Sequence, residues 1–175
     1  MTDTSGDTPI VQFYRGVGAD ARGRTLEAIL AWDDGQLEAV HDYIQWLFPL
    51  DEPSRFNSAA PLLTNPDRLA FRQPPLAANL RRALDRMLAF YGFAMDRSSA
   101  DPRIIRSPGW NERSQQWLHP GNHNLLRLTR MIRSLALLGQ VDLAAALYGA
   151  LRRECEGRVS EVTLEYWKEA TDADA

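Results

Sequence analysis

The chain has 175 residues, 20 Lys and Arg against 23 Asp and Glu, and 45% hydrophobic residues. That length suffices for one domain with a real core, and a formal net charge of -3 excludes wholesale coating of a nucleic acid or an anionic membrane. The lone cysteine, Cys155, excludes an intramolecular disulfide and makes a reducing, cytoplasmic location the expectation.

Residues 1–8 are small, polar and acidic, with no apolar h-region, so no signal peptide is expected and a tail is predicted there. Pro9 opens a short helix through Phe13-Tyr14-Arg15, and the glycines at 16, 18 and 23 mark an open loop. Thr25 is placed to cap a helix from Leu26 to Trp32. After Asp33-Asp34-Gly35 comes a helix with apolar positions at Leu37, Val40, Ile44, Leu47 and Phe48, the 3.6-residue period of a buried helix, ended by Pro49. Ile44 falls at the middle of its apolar arc.

Residues 51–65 read as a loop, and Asn65-Pro66 opens a short helix to Arg72. Pro74-Pro75 opens a longer one with Leu76, Leu80, Ala83, Leu84, Met87 and Tyr91 on one face and Gly92 as its stop. The stretch 96–121, with three prolines and two glycines, is predicted as a loop hiding a short helix near 111–118. Asn122 or Asn124 caps a helix to Leu138. The next runs from Val141 to Gly157 and holds Gly149, which predicts a close helix crossing. Ser160 caps a last helix, and residues 171–175 read as a second tail. No alternating strand pattern is evident, so the expected class is all-α, a single compact multi-helix domain over residues 9–170 with long irregular loops. No apolar run approaches the roughly 18 residues that span a bilayer, so no transmembrane segment is expected.

Two polar constellations exceed what a helical core requires. In the run His41-Asp42-Tyr43-Ile44-Gln45-Trp46-Leu47-Phe48-Pro49, a continuous helix sets His41 beside Gln45 and Asp42 beside Trp46 at i,i+4 spacing. Either these groups satisfy backbone around the helix, or Asp42, Gln45 and Trp46 wall a pocket that offers a carboxylate and an aromatic face. The second constellation is His123, Arg127, Arg130 and Ser134, a basic stripe. It is either a solvated, acid-paired face or an anion site, with the Asn122-His123-Asn124 turn adding donors at a helix N-terminus. His119 and His123 are separated by Pro120 and Gly121, and no third ligand is evident, so no metal or cofactor is expected. Cys155 sits on an apolar face and reads as core. No nucleophile elbow, dinucleotide fingerprint or P-loop is present.

Both constellations lie in blocks that resemble the conserved domain of the opioid growth factor receptor family. The likeness begins at Phe13-Tyr14-Arg15-Gly16, runs through Thr25-Leu26, Trp32 and Leu37-Glu38, and peaks from His41 to Leu50. It continues in Glu52-Pro53-Ser54, Phe56-Asn57, Ala60-Pro61 and Leu63-Thr64. A second block spans Asn122 to Met131, extended by Ser134-Leu135 and Leu138-Gly139, and Tyr166-Trp167 resembles the closing aromatic pair. The resemblance implies a helical ligand- or partner-binding domain. The family name implies an enkephalin-type peptide for animal members, and it carries no catalytic residues to transfer. All basic residues but Lys168 are arginine, a bias of GC-rich codons that points to a bacterial genome.

The expected function is therefore a soluble binding module whose two blocks face each other across a pocket. The ligand is a peptide or small anion, held by His41, Asp42, Gln45 and Trp46 with Asn122, His123, Asn124, Arg127 and Arg130; no nucleic-acid partner is expected. The alternative is an enzyme using His41 or His123 as acid or base near Asp42.

Overall fold

The computed structural model describes residues 6–98 and 100–172. The chain divides into two compact units, one ending at Ala83 and the other beginning at Leu84, a division that falls inside one helix. The tail expectations for residues 1–5 and 173–175 lie outside the described residues. Asp7 and Thr8 are hydrogen-bonded: Asp7 pairs with Arg15 at 2.7 Å, and the Thr8 hydroxyl donates to Asp67 at 2.7 Å. No helix among the described residues is long and apolar enough to cross a membrane.

The first unit is built from short capped helices: α1 (Pro9–Arg15), α2 (Leu26–Leu30), α3 (Asp34–Ala39), α4 (Ile44–Leu47) and α5 (Asn65–Ala70), with α6 (Leu76–Tyr91) beginning in it. Their ends are set by local chemistry. Thr25 accepts from the Ala28 amide at the start of α2, while Asp33 with Gln36 and Thr64 with Asp67 form capping boxes on α3 and α5. Such caps contribute about 1 kcal/mol each. The core is aromatic. Tyr14 lies edge-on to Phe13 at 5.7 Å and to Phe71 at 4.7 Å, and Phe13 meets Trp46 at 5.4 Å. Burial obliges the tyrosine hydroxyls to find acceptors, and they do: Tyr14 donates to the Leu47 carbonyl and Tyr43 to the Leu37 carbonyl. Ile44 is buried, as its place on the apolar arc predicts.

The continuous signature helix is not observed. α3 ends at Ala39, Val40 is extended at φ -95°, ψ 135°, and residues 42–43 bend before α4 restarts at Ile44. The break has a tertiary cause. Tyr43 turns inward to reach Leu37 and lies edge-on to Trp32 at 5.4 Å, while Asp42 turns outward toward two arginines. The i,i+4 pairing of His41 with Gln45 and of Asp42 with Trp46 is lost with the helix.

The second unit holds the rest of α6, a hairpin, and four helices: α7 (Trp110–Trp117), α8 (Asn124–Leu137), α9 (Val141–Cys155) and α10 (Glu161–Glu169). The purely helical class is overturned by β1 (Phe93–Met95) and β2 (Ile104–Arg106), which pair antiparallel with Phe93 opposite Arg106 and Met95 opposite Ile104. The protein is helix-dominated but mixed α/β. Three-residue strands are too short to show an alternation in sequence.

Gly92 joins α6 to β1 at φ 87°, and a Cβ there would lie 2.9 Å from Trp110 Cα, so both the turn and the close approach demand glycine. The hairpin packs an aromatic cluster of Phe93, Trp110 and Trp117, and the Trp117 indole donates to the Tyr91 carbonyl at 3.1 Å. α8 packs on α9, and α10 lies against both, with the Trp167 indole donating to the Leu125 carbonyl at 3.2 Å. Gly149 makes no close helix crossing: nothing lies within 4 Å of its would-be Cβ. Cys155 is buried, and burial pushes its thiol up to about 12, so it stays protonated and unreactive.

Candidate functional site

An open cleft of about 420 Å³ lies in the first unit, and Trp46 of the signature run is one of its walls. Pro9 and Ile10 from the start of α1 form a second side, and Ala59, Pro61 and Leu62 from the loop before α5 a third. The remaining wall is the Ala19–Asp20–Ala21 segment of the glycine-flanked loop after α1.

Two polar residues line this cleft, Thr8 and Asp20, and both are engaged within the protein. Thr8 donates its hydroxyl to Asp67, and the Asp20 carboxylate, wholly buried, accepts the Arg22 and Arg24 amides at 2.9 and 2.8 Å and Arg24 Nε at 2.5 Å. The lining is otherwise aliphatic and aromatic. Leu62 is half exposed, so apolar surface continues from the cleft to the rim. The concavity suits an apolar group and supplies little for a charged one.

Beside it stands a four-residue ionic cluster. Arg24 spans Asp20 and Asp42, placing Nη2 2.8 Å from Asp42 Oδ1 with its guanidinium 5.4 Å from the centre of the Trp32 ring. Arg22 Nε holds the other Asp42 oxygen at 2.8 Å. Partial burial opposes ionisation of Asp42, but the Arg24 and Arg22 guanidiniums outweigh it and hold the carboxyl below the usual carboxylate range. Gln45 is buried, and its Oε1 accepts from Asn57 Nδ2 at 3.3 Å; the same amide also reaches the Asp42 carbonyl at 3.3 Å. His41 is exposed.

In this block, then, Trp46 reaches the cleft, Gln45 braces the loop carrying Asn57, and Asp42 serves the ionic cluster. Asp20, Arg22 and Arg24 join the site without belonging to either polar constellation, and Asn57 belongs only to the family likeness. A signal for Asp20, Arg22 and Arg24 exists: an Asp followed by arginines two and four residues on, with Gly23 between, is the chemistry of a side-chain-organised turn.

The second block lies in the other unit. His123 is the N-cap of α8 with helical dihedrals and no side-chain cap bond, and it is exposed. Asn122 Oδ1 accepts the Asn124 amide at 2.8 Å, while its Nδ2 lies 3.0 Å from His119 Nε2, so both ends of that side chain are used locally. Asn124 is fully buried. Its Oδ1 accepts from the Tyr91 hydroxyl at 3.2 Å and from Arg127 Nη1 at 3.3 Å. Arg127 is only 6% exposed, Ser134 is buried and Arg130 half-buried, so beyond the exposed His123 the stripe turns into the protein rather than to solvent.

The acid–base reading is not favoured. Both oxygens of Asp42 receive guanidinium groups, and a carboxyl with a lowered pKa is a weak base. Among the described residues no group of three or more His, Cys, Asp or Glu side chains is placed to hold a metal ion.

The first unit thus presents an open, largely apolar cleft on a helix-dominated frame. Comparison with known proteins gives the family. The opioid growth factor receptor (OGFr) conserved region matches residues 7–171, and the chain belongs to that family. It is 36% identical over 176 residues to the opioid growth factor receptor of Homo sapiens, covering 94% of this chain and 25% of the human protein. It is also 36% identical to the receptor of Rattus norvegicus, over 83% of this chain and 25% of that protein. The opioid growth factor receptor-like protein 1 of Mus musculus is 33% identical over 92% of this chain and 36% of its own length. The chain thus spans about a quarter to a third of these relatives. No solved structure matches it.

Proposed function

We propose that this receptor-family domain binds a peptide, and that the Trp46 cleft receives an apolar side chain of it. The supporting observation is that Trp46 stands in the wall of an open cleft in which the Thr8 hydroxyl and the Asp20 carboxylate are already bonded within the protein. A charged metabolite entering it would lose hydration without gaining partners, whereas an apolar side chain gains by leaving water. The names of the human and rat relatives say that those proteins receive an opioid growth factor; for this chain the ligand class carried over is a peptide, with its sequence open. His41, exposed five residues before the cleft-lining tryptophan of the His41-to-Pro49 run, and Gln45, buried and adjacent to it in sequence, complete the first block of the binding face.

The small-anion reading would instead use Asn122, His123, Asn124, Arg127 and Arg130. The burial of Arg127 and its bond to Asn124 favour a structural role there.

The test is a thermal-shift screen of short peptides against the wild-type protein and against Ala59→Trp, which fills the cleft. Apolar or aromatic peptides are expected to raise the melting temperature of the wild type and not of the variant. Peptides that stabilise both proteins equally would place binding elsewhere and remove the cleft from the reading.

A further inference from the structure

We infer that Asp42 is a positioning residue for the Trp46 cleft: acting through Arg24, it holds the Ala19–Asp20–Ala21 segment in place as the cleft wall. The inference rests on the reading of that cleft as a ligand site. The wall segment has little side chain of its own to pack. Two alanines flank one aspartate, and the loop is bounded by Gly16 at φ 77° and Gly23 at φ 78°, backbone positions that L side chains rarely adopt. Its near end is tied to α1, where the Val17 and Gly18 amides donate to the Gln12 carbonyl at 3.1 and 3.0 Å.

Its far end is tied ionically. The Asp20 carboxylate draws the Arg22 and Arg24 amides around itself, and the Asp20 amide donates to the Arg24 carbonyl at 2.9 Å, closing a rigid turn. Arg24 then carries that turn to Asp42. One face of its guanidinium fork takes Asp20 at 2.5 Å, another takes Asp42 at 2.8 Å, and Arg22 closes the set from the opposite Asp42 oxygen. Two carboxylates and two guanidiniums balance.

Asp42 occupies the bend that leads into α4, the helix bearing Trp46. It therefore links the loop wall to the tryptophan wall without touching the cleft itself. Replacing Asp42 with Asn leaves Asp20 alone against two arginines and cuts the anchor at its α4 end. A wall free to move must be ordered when a ligand binds, and that ordering cost appears as lost affinity.

The experiment uses N-phenyl-1-naphthylamine, a neutral apolar fluorophore, as the probe, with 13C-methyl alanine labelling to watch the wall directly. Wild type, Ala59→Trp, Asp42→Asn, Asp42→Glu and Arg24→Lys are compared. Lysine keeps the charge but not the fork that spans two carboxylates. The wild type is expected to bind the probe and Ala59→Trp to lose it. Asp42→Asn and Arg24→Lys should bind about tenfold more weakly, with Ala19 and Ala21 methyl signals shifted and broadened and those of Ala150 unchanged, while Asp42→Glu restores part of the affinity.

Should Ala59→Trp bind the probe as wild type does, the cleft reading fails, and the alanine signals still report on the wall. Should Asp42→Asn leave the Ala19 and Ala21 signals where they are, or bind as tightly as wild type while Ala59→Trp does not, Asp42 does not position the wall. If Asp42→Asn does not fold, Arg24→Lys reads the same two quantities.

Discussion

Tyr91 donates its hydroxyl to Asn124 Oδ1 at 3.2 Å, and both residues are fully buried. One is the last residue of α6 and the other the first of α8, so the bond links positions 33 residues apart in the core. Asn124→Ala removes a buried acceptor shared by the Tyr91 hydroxyl and the Arg127 guanidinium. The expected cost is about 1–3 kcal/mol in urea denaturation. Tyr91→Phe, which removes the hydroxyl together with its need for a partner, is expected to cost less. A larger loss for Tyr91→Phe than for Asn124→Ala would mean that the hydroxyl matters through some other contact.

Arg127 tests the anion site against the structural role. Arg127→Gln is expected to lower stability by about 1.5–3 kcal/mol, the scale of a hydrogen bond to a charged group. The rise in melting temperature caused by phosphate at matched ionic strength should be the same in variant and wild type. A phosphate response present in the wild type and lost in the variant would restore the anion site on α8.

Gly92→Ala is expected to destabilise by about 1–3 kcal/mol or more, since the turn needs a left-handed backbone and the new methyl meets Trp110 backbone at 2.9 Å. The loss should appear in near-ultraviolet circular dichroism as weakened tryptophan signals from the Phe93, Trp110 and Trp117 cluster. A wild-type melting temperature would show that the β1 turn relaxes without strain.

The acid limb of stability should carry the signature of Asp42. Its carboxyl titrates lower in the folded protein than in the unfolded chain, because Arg24 and Arg22 outweigh the effect of burial. The ionised form is therefore favoured by folding. That contribution is fully present above the unfolded value of about 4 and is lost as pH falls below it through the lower folded value. Glu154, likewise partly buried but held low by Arg153 and Arg106, adds a contribution of the same sign. In Asp42→Asn the wild-type advantage near neutrality should shrink as the pH drops below about 4. A gap that stays constant across that range would mean that the pairs seen around Asp42 contribute nothing to its titration.

Helix boundaries were legible only in part where their cause is local. Thr25, Ser160 and Gly92 declare themselves. By contrast, α5 is capped by Thr64, one residue before Asn65-Pro66, and α8 by His123, without a side-chain bond, rather than by Asn122 or Asn124. Thr25, Asp33, Thr64 and Ser160 each accept an amide three residues on, and Gly92 ends α6 with the positive φ that glycine favours; all of this chemistry is written within one turn of chain. The buried faces of α6, α8 and α9 follow from the same 3.6-residue period, apart from Val141, exposed at the start of α9, and Tyr148, which is half-buried. Tertiary structure decided what depends on partners far along the chain. The break at residues 40–43 goes against a sound helical period because Tyr43 is pulled to Leu37 and Trp32 and Asp42 to arginines 18 and 20 residues earlier. Strands β1 and β2 exist because they have each other across the eight intervening residues 96–103, and neither is long enough to declare itself. The Trp46 cleft is assembled from four separated segments, around residues 8–10, 19–21, 46 and 59–62. Periodicity and capping are properties of neighbours in sequence; a cleft and its ionic brace belong to neighbours in space, and folding alone brings those together.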